Sequence, residues 1–166
     1  MILFMENVAN ARVSDGIVKA ILLAGLLAGT LDILSAFINF YIVTGGNPVV
    51  ILRYIASAVF GKEAFTGGAE MALVGLLFHY IIAYGWTVLY FLAFPYLSFL
   101  AKNKYVSGVL YGAFVWFCMN RIVVPLTLIK MGPFDVAKSA VQMGILMVCI
   151  GLPIAILAQR FYKRGK

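Results

Sequence analysis

The chain has 166 residues, of which 64% are hydrophobic and 11% are charged, and its mean hydropathy is +1.02. Soluble domains are roughly 45 to 50% apolar and about 25% charged, so this composition excludes a water-soluble globular domain, which would have too few polar residues to cover its core. We interpret the formal net charge of +7 as the basic residues that set the orientation of membrane spans and that contact anionic lipid. It does not indicate nucleic-acid binding, because no basic stretch is long enough to follow a phosphate backbone.

Four apolar runs are long enough to cross a bilayer, whose core of about 30 Å needs roughly 20 helical residues. We predict these spans at about 19–42, 70–94, 105–129 and 138–160. Ser14 and Asp15 favour a helix start before the first span, and Pro95 ends the second. The sequence therefore predicts an all-α, polytopic membrane protein in which the whole chain forms one integral membrane domain.

A shorter apolar helix is predicted between the first two spans, at about 48–60. The pair Asn47-Pro48 is typical of a helix start, and Gly61 is typical of a helix end. This helix is too short to cross a bilayer. It either lies flat in the interface or enters the membrane as a re-entrant segment, and the sequence leaves both alternatives open.

The distribution of basic residues predicts the orientation, because Lys and Arg near the ends of spans are retained in the cytoplasm. Four spans place both termini on the same side of the membrane. The basic residues on that side are Arg12, Lys19, Lys102, Lys104, Arg160, Lys163, Arg164 and Lys166, and those on the other side are Arg53, Lys62, Lys130 and Lys138. We therefore expect both termini to be cytoplasmic.

Small residues at spacings of four predict where helices approach closely, since helix pairing in lipid depends on packing rather than on a hydrophobic gain. Gly25 and Gly29 form one such notch in the first span, and Gly108 and Gly112 form another in the third. Packing within one chain is the favoured interpretation. The alternative is that the notches join two copies in a homodimer or a larger membrane complex.

Seven polar residues are the candidate site, since polar side chains inside a membrane are costly and usually functional. A charge at the centre of a span costs on the order of 3 kcal/mol, so we expect Asp32 and Arg121 to form a buried ion pair. Two interpretations stay open: the cluster only specifies helix packing, or it lines an outward-facing cavity beneath the short helix. The seven residues are Asp32, Asn39, Arg53, His79, Asn120, Arg121 and Gln142.

The sequence contains no motif of a known enzymatic mechanism. His79 is the only histidine, which excludes bis-histidine haem ligation within one chain and makes a transition-metal site a weak hypothesis. We therefore predict no metal and no cofactor, and we interpret Cys118 and Cys149 as small apolar side chains. His79 is interpreted as a hydrogen-bonding residue in helix packing, with a proton relay to Asp32 as the alternative.

The segment from Phe78 to Leu126 resembles the uncharacterised bacterial inner-membrane proteins of the YagU type. The features that carry the resemblance are a histidine-bearing helix that ends at an aromatic-Pro break, a short basic loop, and a helix that opens with Gly-x-x-x-Gly and closes at a Pro. Here they are His79, Pro95, Gly108, Gly112 and Pro125. The resemblance implies a small four-helix protein of the bacterial inner membrane and implies no biochemical activity.

These observations favour a small membrane protein that binds or transports an anionic or amphiphilic ligand in an outward-facing polar cavity. An anionic group is favoured because the positive charges near the cavity outnumber Asp32. The alternative is a structural or accessory subunit in which the Asp32/Arg121 cluster only determines packing. A lipid-modifying enzyme is a third hypothesis, in which His79 and Asp32 would carry the chemistry.

Overall fold

The computed structural model describes the backbone of residues 2–129, 132 and 134–164, and the side chains of those residues from 16 to 163. This part of the chain is almost entirely helical and contains no strand. Eight α-helices follow one another in this described part. They are α1 (Ile2–Thr44), α2 (Val49–Phe60), α3 (Glu63–Thr66), α4 (Ala69–Ala93), α5 (Ser98–Lys102), α6 (Lys104–Cys118), α7 (Val136–Leu146) and α8 (Leu152–Arg164).

Two of the long helices contain a π-helical turn, which widens the helix by one residue. The first, Met119–Val123, continues α6 and passes into a short 3₁₀ turn, Val124–Leu126. The second, Met147–Gly151, joins α7 to α8. Each turn lies just before a proline, Pro125 or Pro153. A proline ring collides with the carbonyl four residues before it in an α-helix, and the wider turn relieves that collision.

Four helices are long and apolar enough to cross a membrane: Gly16–Thr44, Ala69–Ala93, Lys104–Leu126 and Val136–Lys163. The predicted fold class is therefore confirmed: the protein is an all-α, polytopic membrane protein with four spans and one shorter apolar helix, α2. The predicted start of the first helix at Ser14 and Asp15 was wrong, because α1 begins at Ile2. The segment before Gly16 contains no proline or glycine that would interrupt a helix.

The four spans form a bundle with two distinct ends. At one end, called here the termini end, lie α5, the start of α6 and the end of α8. At the other, called the α2 end, lie α2, α3 and the segment between α6 and α7. The core is densest towards the termini end, where α1, α4, α6 and α8 bury Ala28, Phe91, Val115 and Ile154.

The glycines of α6 allow a close crossing of two spans. A Cβ atom on Gly108 would lie 2.9 Å from Leu152 Cα, and one on Gly112 would overlap the backbone of Met147. Gly151 faces this notch from the other helix, with the Gly108 carbonyl directly against it. Gly108 and Gly112 therefore lie at a close helix contact, and their partner is the π-helical turn between α7 and α8.

The glycines of α1 accept aromatic rings instead of backbone. The Tyr84 ring fills the space beside Gly25, and the Tyr80 ring lies beside Gly29, where a Cβ atom would be 3.0 Å from its Cε1. Both tyrosines also bond to α1: Tyr84 Oη donates to the Leu22 carbonyl at 3.1 Å, and Tyr80 Oη lies 2.8 Å from Thr30 Oγ1. Both predicted notches are filled within one chain, so a second copy would need a different surface.

Replacing Tyr80 with phenylalanine tests this arrangement. The ring still fills the space beside Gly29, but the hydrogen bond to Thr30 is lost. Hydrogen bonds between membrane helices contribute about 0.6 kcal/mol on average, so we expect the free energy of unfolding in mixed micelles to fall by about 0.5 to 1 kcal/mol. Tyr96→Phe is the control, because the Tyr96 side chain is 85% exposed. An equal loss in both variants would contradict a specific role for the Thr30 contact.

The short helix α2 packs along the half of α4 that faces the α2 end. Leu52 is buried against Ala72 of α4 and Ile33 of α1, and the Leu52 carbonyl occupies the space beside Gly75. Gly75 is six residues into α4, which places this crossing about 9 Å along that helix. At its other end α2 is tied to the chain after α6, since Leu128 N donates to the Ala58 carbonyl at 3.1 Å.

Candidate functional site

His79 is buried between α4 and α1 and joins the two helices. Its Nε2 lies 2.8 Å from the Gly29 carbonyl oxygen, and its ring meets the Tyr80 ring edge to face. A carbonyl oxygen can only accept, so Nε2 carries the hydrogen and Nδ1 is left as a proton acceptor. The predicted packing role of His79 is therefore present, and the free Nδ1 keeps a second role open.

Asp32 lies one turn beyond Gly29 on the same face of α1. It is half-buried, and helix geometry places it one turn from the carbonyl that binds His79. The expected ion pair between Asp32 and Arg121 was wrong: within the ranges 16–129, 132 and 134–163 the only ion pair joins Lys138 to Asp135. No hydrogen-bond donor in those ranges reaches the Asp32 carboxylate either. Helix packing therefore does not depend on an Asp32/Arg121 cluster.

Arg121 points away from the bundle because it lies on the π-helical turn that follows α6. Its side chain is exposed, and its guanidinium carbon lies 5.2 Å from the centre of the Phe134 ring. Asn120, its neighbour, donates from Nδ2 to the Trp116 carbonyl of the same helix at 2.9 Å. Neither residue bonds to Asp32, because α6 packs chiefly on α7, α8 and the second π-helical turn and not on α1.

Arg53 belongs to α2 and is half-buried. Its Nε atom is buried and has no hydrogen-bond partner among the described residues. Among the described residues it forms no ion pair, either with Glu70 at the start of α4 or with Asp32. Arg53 therefore belongs to the contact between α2 and α4 and not to a cluster around Asp32.

Asn39 and Gln142 are the two predicted residues that line a common space. They face each other across a cleft of about 250 Å³ between α1 and α7, at the α2 end. Val43 and Val141 supply apolar walls, and Lys138 supplies a cation. The cleft exists because α1 packs closely on α8 and the second π-helical turn but diverges from α7. Its lining thus combines two carboxamides and one ammonium with an apolar surface, a combination that suits an amphiphile.

Asp135 moderates the charge of this cleft. Its carboxylate caps α7 by accepting from Lys138 N at 3.1 Å, and it lies 3.7 Å from Lys138 Nζ. The Lys138 backbone N–H lowers the pKa of the Asp135 carboxyl below its ordinary value. At pH values above the ordinary pKa of an aspartate, the carboxylate is ionised and the cap contributes fully to the stability of α7. That contribution is lost as the pH falls through the lowered pKa. The exposed Lys138–Asp135 contact is weak enough for a ligand anion to replace it.

A polar stripe on α1 connects the cleft to Asp32. Asp32, Ser35 and Asn39 are three and four residues apart and share one face of the helix. Ser35 donates to the Leu31 carbonyl at 2.7 Å, and its oxygen lies 3.0 Å from Cys149 Sγ in the second π-helical turn. Cys149 is thus half-buried and bonded to a polar partner, whereas Cys118 is buried as predicted. Towards the termini end the stripe ends at Gly29 and Ala28, which carry no polar side chain.

The sequence interpretation did not include Lys138 in this region. Lys138 was counted only as a topological charge, although Asp135 three residues earlier is a typical helix cap and predicts that the lysine lies in the first turn of α7. The contact between Ser35 and Cys149 was not predictable either, because no sequence signal indicates the π-helical turn that holds Cys149.

Among the residues with described side chains, no three His, Cys, Asp or Glu side chains come close enough together to hold a metal ion. The site is a polar stripe on α1 with a cleft at one end. The resemblance to the YagU-type proteins stays a prediction. Comparison with protein-family models, with curated proteins and with solved structures finds no significant match.

Proposed function

We propose that the chain is a small protein of the bacterial inner membrane that binds an anionic amphiphile in the cleft between α1 and α7. The observation that carries this proposal is the lining of the cleft, where Lys138, Asn39 and Gln142 lie beside apolar walls. An ammonium and two carboxamides can bond the oxygens of a phosphate or carboxylate, and the walls can contact the first carbons of a chain. The volume of about 250 Å³ fits a headgroup and not a whole lipid.

The orientation completes the proposal. With both termini in the cytoplasm, as the excess of basic residues at the termini end favours, the cleft opens towards the outer leaflet. The acyl chains of a bound amphiphile would then stay in the lipid beside α1 and α7, and only the headgroup would enter the cleft. The same cleft serves a carrier or a binding subunit, and a lipid of the outer leaflet reaches it without leaving the bilayer.

Native mass spectrometry of the protein with added phosphatidylglycerol or phosphatidylcholine tests this proposal. We expect a discrete phosphatidylglycerol adduct, and we expect Lys138→Gln to weaken it roughly tenfold, since one charge-assisted hydrogen bond is worth about 1.5 kcal/mol or more. Phosphatidylcholine should bind more weakly and respond less to the substitution. Lys62→Gln is the matched control, because Lys62 is another exposed cation at the α2 end and does not line the cleft.

Two outcomes would contradict this function. One is the absence of any discrete lipid adduct on the parent protein. The other is an equal loss of binding in the Lys138 and Lys62 variants, which would indicate attraction by the general positive charge of that end and no defined site.

A further inference from the structure

The residues that line the cleft do not provide a partner for the Asp32 carboxylate. A carboxylate near the centre of a span costs on the order of 3 kcal/mol unless a cation or a hydrogen-bond donor offsets it. The charged and titratable residues on the elements packed against this part of α1 are His79 and Tyr80 on α4, Arg53 and Tyr54 on α2, Lys138 on α7, and Cys149 in the second π-helical turn. None of them forms an ion pair or a hydrogen bond with Asp32.

His79 is the residue of this set that can become a countercharge. Its Nε2–H is bonded to the Gly29 carbonyl at 2.8 Å, which orients the ring and leaves Nδ1 unprotonated in the neutral form. Uptake of a proton at Nδ1 forms one N–H bond and converts the imidazole into an imidazolium. Beside an ionised Asp32 that step makes the two residues a net-neutral unit, which is the form a low-dielectric surrounding favours.

Polar groups flank Asp32 on both sides along α1. Ser35 and Asn39 continue its polar face towards the α2 end, where the Ser35 hydroxyl donates to the Leu31 carbonyl. Towards the termini end, Tyr80 Oη bonds to Thr30 Oγ1. None of these groups is bonded to the Asp32 carboxylate, which leaves His79 as the group that can supply the countercharge.

We propose that Asp32 and His79 form a proton-binding pair between α1 and α4. The proton is held at His79 Nδ1, and the imidazolium so formed is the countercharge of the Asp32 carboxylate. The pair is a site for a proton and is independent of which ligand occupies the cleft.

The experiment uses the fact that His79 is the only histidine in the chain. Isotopically labelled histidine gives a single imidazole signal in solid-state NMR of the protein in lipid vesicles, and a pH titration reads the state of both ring nitrogens. We expect hydrogen on Nε2 at every pH and a proton-uptake step at Nδ1. In Asp32→Asn the proton-uptake step should move to lower pH by about one unit, because the negatively charged partner is gone. That shift is a tenfold loss of proton affinity.

Glu63→Gln is the control, since Glu63 is an exposed carboxylate of α3 at the same end, and its titration should match that of the parent. A neutral form with its hydrogen on Nδ1, or an Asp32→Asn titration identical to the parent's, would overturn the pair. If Asp32→Asn does not fold, labelled aspartate in the parent replaces it: a carboxyl carbon must lie close to the protonated imidazole, and an imidazole far from any aspartate would refute the proposal. Neither measurement requires an amphiphile in the cleft. A negative result for proton binding by Asp32 and His79 is therefore distinguishable from a negative result for amphiphile binding in the cleft.

Discussion

Gly151→Ala is expected to lower the free energy of unfolding by about 3 kcal/mol, a large effect for a change that adds a single methyl group. The new Cβ would overlap the Gly108 carbonyl oxygen and lie 2.8 Å from the Gly112 nitrogen. Both are backbone atoms of α6, so no side chain can move aside, and the two helices must separate. Overpacking of a rigid contact typically costs about 1 to 3 kcal/mol, and separating two helices places this case at the upper end.

Gly144→Ala is the matched control, because it lies on the same long helix and no atom lies within 4 Å of its added Cβ. Alanine is a better helix former than glycine by up to about 1 kcal/mol, so this variant should be as stable as the parent or slightly more stable. Unfolding in mixed micelles, followed by circular dichroism, measures both. Equal stabilities for the two variants would mean that α6 does not cross the π-helical turn as closely as the structure shows.

Phe91→Ala is the second large effect, with an expected loss of about 3 to 5 kcal/mol. The Phe91 side chain is fully buried, and its ring packs between α4 and α8 with centroid distances of 6.4 Å to Phe161 and 6.3 Å to Tyr162. Tyr162 also donates its hydroxyl to the Phe91 carbonyl at 2.9 Å. Truncation leaves a cavity at the termini end that these bonded neighbours cannot fill without breaking their own contacts.

Leu92→Ala is the control for Phe91→Ala. Leu92 is the next residue of α4 but is 60% exposed and faces outwards. Its side chain faces the surrounding lipid, so truncation removes contacts with lipid and opens no internal cavity. We therefore expect the free energy of unfolding to fall by less than about 1 kcal/mol. A comparable loss at both positions would show that the dense part of the core is not where the structure places it.

The spans were predictable because the length and composition of an apolar run are local properties of the sequence. The roles of Gly108 and Gly112 were also predictable, since a four-residue spacing places two small residues on one face of any α-helix. Their partner was not, because a close crossing depends on Gly151 and on a π-helical turn whose geometry departs from that spacing.

The Asp32–Arg121 ion pair failed for a related reason. Counting residues along a span estimates depth, and depth brought the two charges to similar levels. Contact also requires that the two helices be neighbours. The helix α6 packs chiefly on α7, α8 and the second π-helical turn and not on α1, and Arg121 lies outside the bundle against Phe134. Asn39 and Gln142 line one cleft, because α1 and α7 lie next to each other there.

The π-helical turn at Met147–Gly151 also decouples the two halves of the last span. An extra residue in one turn rotates everything before it by about 100° relative to everything after it. The face of α8 that carries Ile154 and Ala158 can therefore stay buried while Gln142 and Lys138 of α7 face Asn39. A chain shorter by one residue at this turn could not keep both the buried face of α8 and the polar face of α7 in their present orientations. A deletion here would therefore disrupt either the core or the cleft.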